Sequence, residues 1–168
     1  MIRAIVVMGV SGCGKSTLGS ALASALGWRF LEGDTLHPAS NIAKMKAGIP
    51  LTDEDRGPFL RNVAGAINAA LPASVVVSCS ALKRSYRDVI REHTGAVTFV
   101  LPNVDRAHLL ARLERRRDHF MPATLIDSQL QALEQPGPDE RALVLDGTAS
   151  TDTQVAQVLD ALRTGSLQ

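Results

Sequence analysis

The sequence predicts an α/β fold, with a parallel sheet covered by helices on both faces, and three observations carry the prediction. Short β-branched runs alternate with longer segments of helical periodicity along the whole chain. Two of the runs, Ile5-Val6-Val7 and Val75-Val76-Val77, are continuously apolar, as a strand buried on both faces requires. The first run also passes directly into a glycine-rich loop and then a helical pattern.

Taken in order, strands are expected at 4–8, 29–31, 75–79, 97–101 and 143–145. A first helix over 16–26 places Leu18, Leu22, Ala25 and Leu26 on one face, and Gly27 stops it. Pro38 suits a first helical position, opening a helix to about residue 47 before Gly48. Further helical patterns run over 59–71, 82–93, 105–117 and 123–134. The last helix should start at a Thr151-x-x-Gln154 capping pattern. No repeat, low-complexity tract or linker divides the 168 residues, so a single domain spanning 1–168 is expected.

Composition narrows the function classes. Apolar residues make up 45% and charged residues 21%, ordinary for a globular protein. A formal charge of +1 provides no global field toward nucleic acid or membrane, and 4% aromatic content offers no stacking platform for single strands. Neither nucleic acid nor membrane is therefore expected as a partner. Cys13 and Cys79 read as free thiols, and the opening apolar run is too short for a span. The expected compartment is cytoplasmic.

The chemistry begins at Gly9-Val10-Ser11-Gly12-Cys13-Gly14-Lys15-Ser16, a full match to G-x-x-x-x-G-K-[ST]. Phosphates need backbone N–H groups aimed inward along a tight loop, which Gly9, Gly12 and Gly14 permit. The loop feeds a helix N-terminus, whose free N–H groups and dipole favour negative charge. Lys15 can reach the β- and γ-phosphates, and the Ser16 hydroxyl can ligate Mg²⁺. Ser11, Cys13 and Thr17 complete the expected nucleotide-binding set.

A GTPase would carry an Asn/Thr-Lys-x-Asp motif, and none is present. A mechanical ATPase would end a strand in an aspartate, yet Val75-Val76-Val77-Ser78-Cys79 has no acid. The first acid so placed is Asp34, beyond Arg29-Phe30-Leu31-Glu32-Gly33. Taken alone, Asp34 could as readily form a turn. At a strand end beside the loop it could instead hold an acceptor hydroxyl near the γ-phosphate, which suits a small kinase.

The following segments read Gly33-Asp34-Thr35-Leu36-His37-Pro38, Asn41-Ile42-Ala43-Lys44-Met45, Gly48-Ile49-Pro50-Leu51-Thr52-Asp53-Glu54-Asp55-Arg56, Cys79-Ser80-Ala81-Leu82-Lys83 and Tyr86-Arg87-Asp88. Together with the phosphate loop they closely resemble the gluconate kinases (gluconokinases), from about Met8 to Asp146. The resemblance implies ATP-dependent phosphorylation of D-gluconate to 6-phospho-D-gluconate. It also implies a nucleoside-monophosphate-kinase-like fold related to shikimate kinase, with strand order 2-3-1-4-5, a mobile lid at about 116–124 and a homodimer. Two departures stand out. Cys13 replaces a usual serine, and Phe59 replaces a usual tryptophan, neither being a group the chemistry needs.

On this reading Lys15, Asp34 and Arg116 are the catalytic residues, with Arg116 at the position of the family's lid arginine. Arg112, Arg115, Arg117 and His119 share its basic run, and Arg115 and Arg117 read as surface. His37 becomes a ligand for a polyol hydroxyl, and Arg56 a bidentate donor for a sugar-acid carboxylate. Ser80, Lys83 and Arg87 join the substrate side, with Lys83 and Arg87 one helical turn apart on a face toward the anionic site. Trp28 and Tyr86 read as packing residues. Cys13, beside Lys15 and a helix N-terminus, is expected to have a lowered thiol pKa and to be redox-sensitive. The alternatives are a shikimate-type or other small-acceptor kinase, or a nucleotide-dependent binding module without turnover.

Overall fold

The computed structural model describes residues 2–115 and 123–167. Its five parallel strands are β1 (Ala4–Val7), β2 (Arg29–Glu32), β3 (Val75–Ser78), β4 (Val97–Asn103) and β5 (Ala142–Asp146). They pair in the order β2-β3-β1-β4-β5, as the resemblance implies. The helices are α1 (Lys15–Leu26), α2 (Ala39–Lys46), α3 (Asp53–Ala70), α4 (Arg84–Thr94), α5 (Arg106–Glu114), α6 (Ala123–Ala132) and α7 (Thr151–Thr164). A 3-10 turn, Gly33–Leu36, follows β2.

Alternation along β1 explains its continuous apolar run. Ala4, Val6 and Met8 enter a core with Phe59, Leu60, Val63 and Ile67 of α3 and Tyr86 and Ile90 of α4. Ile5 and Val7 enter the opposite core with Leu18, Leu22 and Ala23 of α1 and Val158 of α7. Each large side chain so buried contributes about 1.5–3 kcal/mol of transfer free energy. A third cluster, Val10, Cys13, Leu82, Val104, Leu109, Leu113 and Ile126, seats α5 and α6 under the glycine-rich loop.

Three helix starts differ from the sequence expectation. α3 begins at Asp53 rather than residue 59, because Thr52 and Asp55 form a reciprocal capping box that fixes the start ahead of Pro58. α4 begins at Arg84 rather than residue 82, since Ala81 turns at φ 39° and Leu82 is buried in the third cluster. α7 is capped by Ser150, whose Oγ accepts the Thr153 N–H at 3.1 Å, and Gln154 donates to the Ala149 carbonyl instead. β4 also runs two residues longer than expected. Its pairing with β1 stops at Val100 while that with β5 continues, so Pro102 falls where one side of the strand needs no donor.

Candidate active site

The phosphate loop joins β1 to α1. At φ +131° Gly9 takes a conformation that other residues resist, and a Cβ there would meet Cys13 Sγ at 2.8 Å. Gly14 caps α1 in the left-handed region with no side-chain hydrogen bond. The first N–H groups of α1, those of Lys15, Ser16 and Thr17, therefore face a potential ligand rather than a capping side chain. Lys15 Nζ donates to the Val10 carbonyl at 3.0 Å. Ser16 and Thr17 are exposed.

Strand register carries the candidate acceptor residues to the same edge. Glu32 pairs with Ser78, and Ser78 with Val7. Asp34, Ser80 and Gly9 each lie two residues beyond those partners, so they line neighbouring strand ends, with Asp34 roughly 10 Å across from Gly9 at two strand spacings. The Gly9 N–H donates to the Ser80 carbonyl at 3.1 Å, tying two of these ends together. Gly33 is what lets the Asp34 turn sit here. Its N–H donates to Ser78 Oγ at 3.0 Å, and a Cβ would fall 1.8 Å from the Ser78 carbonyl oxygen.

Around Asp34 the side chains are held from several elements. His37 stacks on Phe59 with ring centroids 3.7 Å apart and planes 9° from parallel. Position 59 therefore touches a candidate site residue, which the sequence did not suggest. Burial pushes the His37 imidazole below its usual range, opposed by Asp34 and reinforced by Arg56. Buried Asn41 approaches His37 Nδ1 at 3.3 Å and donates to the Asp55 carbonyl at 2.9 Å. Arg56 and Lys83 each lie 5.6 Å from the centre of the Tyr86 ring, bringing two cations together. Asp53 bonds both Lys83, at 3.0 Å, and the Tyr86 hydroxyl, so Tyr86 does more than pack. Those bonds hold the Asp53 carboxyl below the usual carboxylate range, the Tyr86 one foremost.

Arg87 is not part of this cluster. Its side chain is 0% exposed and its guanidinium pairs with Glu140 at 2.6 and 2.8 Å, the remaining donors meeting the carbonyls of Ala81, Leu82 and Glu134. Every guanidinium nitrogen is bonded and the side chain is buried, so the expectation of Arg87 as a substrate ligand is corrected. It shapes the turn that presents Ser80 and Lys83. The Arg87 hydrogen bonds hold the Glu140 carboxyl down at about 2, against its burial.

The reading of Cys13 is corrected as well. Its side chain is buried, and burial raises the thiol pKa despite Lys15 nearby. Cys79, fully buried, is pushed up to about 12 for the same reason. Arg116, Arg117 and His119 lie outside the described residues, as does most of the expected lid.

The sequence reading assigned no role to Arg112, which reaches the Gly12 and Cys13 carbonyls at 3.3 and 3.1 Å and the Gly147 carbonyl at 2.6 Å. Its place one helical turn before Arg116 was the signal available. Arg115, read as surface, lines with Arg112 a cavity of about 260 Å³ beside Gly12, Thr17 and Gly147.

Comparison with known proteins agrees with this geometry. The sequence model of the family described as Shikimate kinase matches residues 11–163. The chain is 45% identical over 159 residues to a gluconokinase of Gluconobacter oxydans, covering 94% of this chain and 89% of that one. Among solved structures, a gluconokinase from Sinorhizobium meliloti superposes with TM-score 0.84 at 44% identity, covering 97% of both chains. An unliganded sugar kinase from Janibacter superposes with TM-score 0.91 at 43% identity, over 97% of this chain and 95% of that one. The match thus extends along nearly the whole sequence, and the chain belongs to the shikimate kinase family and, within it, to the gluconokinases.

Proposed function

We propose that this protein transfers the γ-phosphoryl group of ATP to the 6-hydroxyl of D-gluconate, giving 6-phospho-D-gluconate. One observation above all supports the reading: the phosphate loop and a cluster of two carboxylates (Asp34 and Asp53), one neutral imidazole and two cations share a single sheet edge. Gluconate is an open polyol with a carboxylate at one end and the reacting hydroxyl at the other, and the cluster offers partners for both.

In this mechanism the backbone N–H groups of the loop and α1 hold the phosphates, and Lys15, anchored at the Val10 carbonyl by one of its three donors, meets the charge that develops on them. Asp34 accepts the hydrogen bond, and then the proton, of the attacking hydroxyl. His37, neutral at pH 7, orients polyol hydroxyls as donor and acceptor. Arg56 and Lys83 receive the carboxylate, with Ser80 between the two halves. The cavity between Arg112, Thr17 and Gly147 takes the base and ribose of the nucleotide. Ser16 offers a hydroxyl oxygen, a donor suited to a hard cation, at the phosphate end of α1. When bound there Mg²⁺ would neutralise phosphate charge. No described helix is long and apolar enough to cross a membrane, and a cytoplasmic homodimer is the form we propose.

A coupled ADP-release screen over gluconate, shikimate, sugars and nucleoside monophosphates tests the assignment. Release dependent on gluconate is expected. Release that follows shikimate or another acceptor, or none with any acceptor, would overturn it in favour of a different kinase or a binding module.

A further inference from the structure

A side chain from α6 reaches the phosphate loop across 118 residues of sequence. The Ser11 N–H donates to Gln129 Oε1 at 2.7 Å, and Gln129 Nε2 donates to Ser11 Oγ at 3.1 Å. The two bonds fix the amide orientation, because the backbone N–H can only donate.

The consequence runs through one peptide plane. The Val10–Ser11 peptide carries the Ser11 N–H on one side and the Val10 carbonyl on the other. Gln129 takes the N–H. The carbonyl accepts from Lys15 Nζ at 3.0 Å and from the Cys13 N–H at 3.3 Å, which fills its two lone pairs. Both ends of the peptide are therefore bonded, and rotating it would break the Gln129 bond and the Lys15 bond together. Gln129 owes its own position to other contacts. Ile126, one turn earlier, is 0% exposed in the cluster with Val10 and Cys13, Arg106 pairs with Asp127 at 2.6 Å, and the Glu134 N–H donates to the Leu82 carbonyl at 2.9 Å.

We propose that Gln129 is a positioning residue of the phosphate loop: by holding the Val10–Ser11 peptide it sets the place from which Lys15 meets the β- and γ-phosphates. The inference deepens the kinase reading and rests on the loop binding ATP, but it does not depend on which acceptor is used. An amide is required. A carboxylate could accept from the N–H but could not donate to Ser11 Oγ, and it would set a negative charge where phosphates bind.

The test compares wild type, Gln129→Met and Gln129→Glu, with ATP affinity measured calorimetrically without acceptor and AMP measured as a competitor lacking the outer phosphates. Loss of the bonds should weaken ATP about tenfold, the equivalent of one or two hydrogen bonds. AMP affinity and the melting temperature should stay close to wild type. Gln129→Glu should weaken ATP further than Gln129→Met does, because it adds a negative charge beside the phosphates. ATP binding within twofold of wild type in both variants, equal weakening of ATP and AMP, or a Gln129→Glu deficit no larger than that of Gln129→Met would each overturn the proposal. Because no acceptor is present, these results do not depend on gluconate being the substrate.

Discussion

Asp34 stands exposed on a short turn, while Lys15 is parked against its own loop, and the proposed chemistry asks each to do something different. Asp34→Asn keeps size and hydrogen bonding but removes the base and its charge. Steady-state kinetics should show kcat falling at least about a hundredfold with a modest change in KM for gluconate, the pattern of a group acting mainly in the transition state. Unchanged kcat would remove Asp34 from the mechanism. The thiols follow from burial. With the Cys13 pKa raised and Cys79 at about 12, neither presents thiolate at neutral pH. A disulfide reagent at pH 7.5 should leave native protein unlabelled and active, and both thiols should react once the chain is unfolded. Rapid inactivation protected by ATP would show that Cys13 is accessible after all.

At the scale of elements, the buried Arg87–Glu140 pair ties α4 and the Ser80–Lys83 turn to the segment before β5. Arg87→Ala removes the main cation from the buried Glu140 carboxylate, leaving it only Arg91 at 3.2 Å and the Gly137 N–H, and should cost up to about 3–5 kcal/mol in urea unfolding. The acid dependence has a fixed sign. The Glu140 carboxyl titrates near 2 when folded against 4.5 for the ordinary group, so the unfolded chain takes up the proton first. The pair's contribution is full above pH 4.5 and is lost as pH falls toward 2. A Glu140→Gln variant should show a flatter loss of stability across that window, and a slope equal to wild type would contradict the assignment. Elements also show what the sequence hides. The helical pattern reads over 59–71, so the first turn of α3 was missed, and with it the fact that Asp53 and Arg56 lie on one helix facing Tyr86.

For the whole molecule, the alternation of strand and helix and the β1 loop were legible from local periodicity and a motif contiguous in sequence, and the strand order through the family resemblance those motifs carry. Asp34, His37, Arg56, Ser80 and Lys83 could be named as candidates from such motifs. What could not be read depends on partners distant in sequence. Arg87 looks like a surface cation until Glu140, 53 residues away, is seen to bury it, and Gln129 meets Ser11 across 118 residues. Cys13 was misread because motif context shows charge but not desolvation. The central claim joins two halves, one edge of one sheet holding ATP at β1 and gluconate at β2 and β3. Arg56→Ala separates them most directly, with KM measured for both substrates. The account predicts a rise in KM for gluconate of up to about a hundredfold, as loss of a charge-assisted contact implies, with KM for ATP nearly unchanged. A rise in KM for ATP with gluconate unaffected would contradict it.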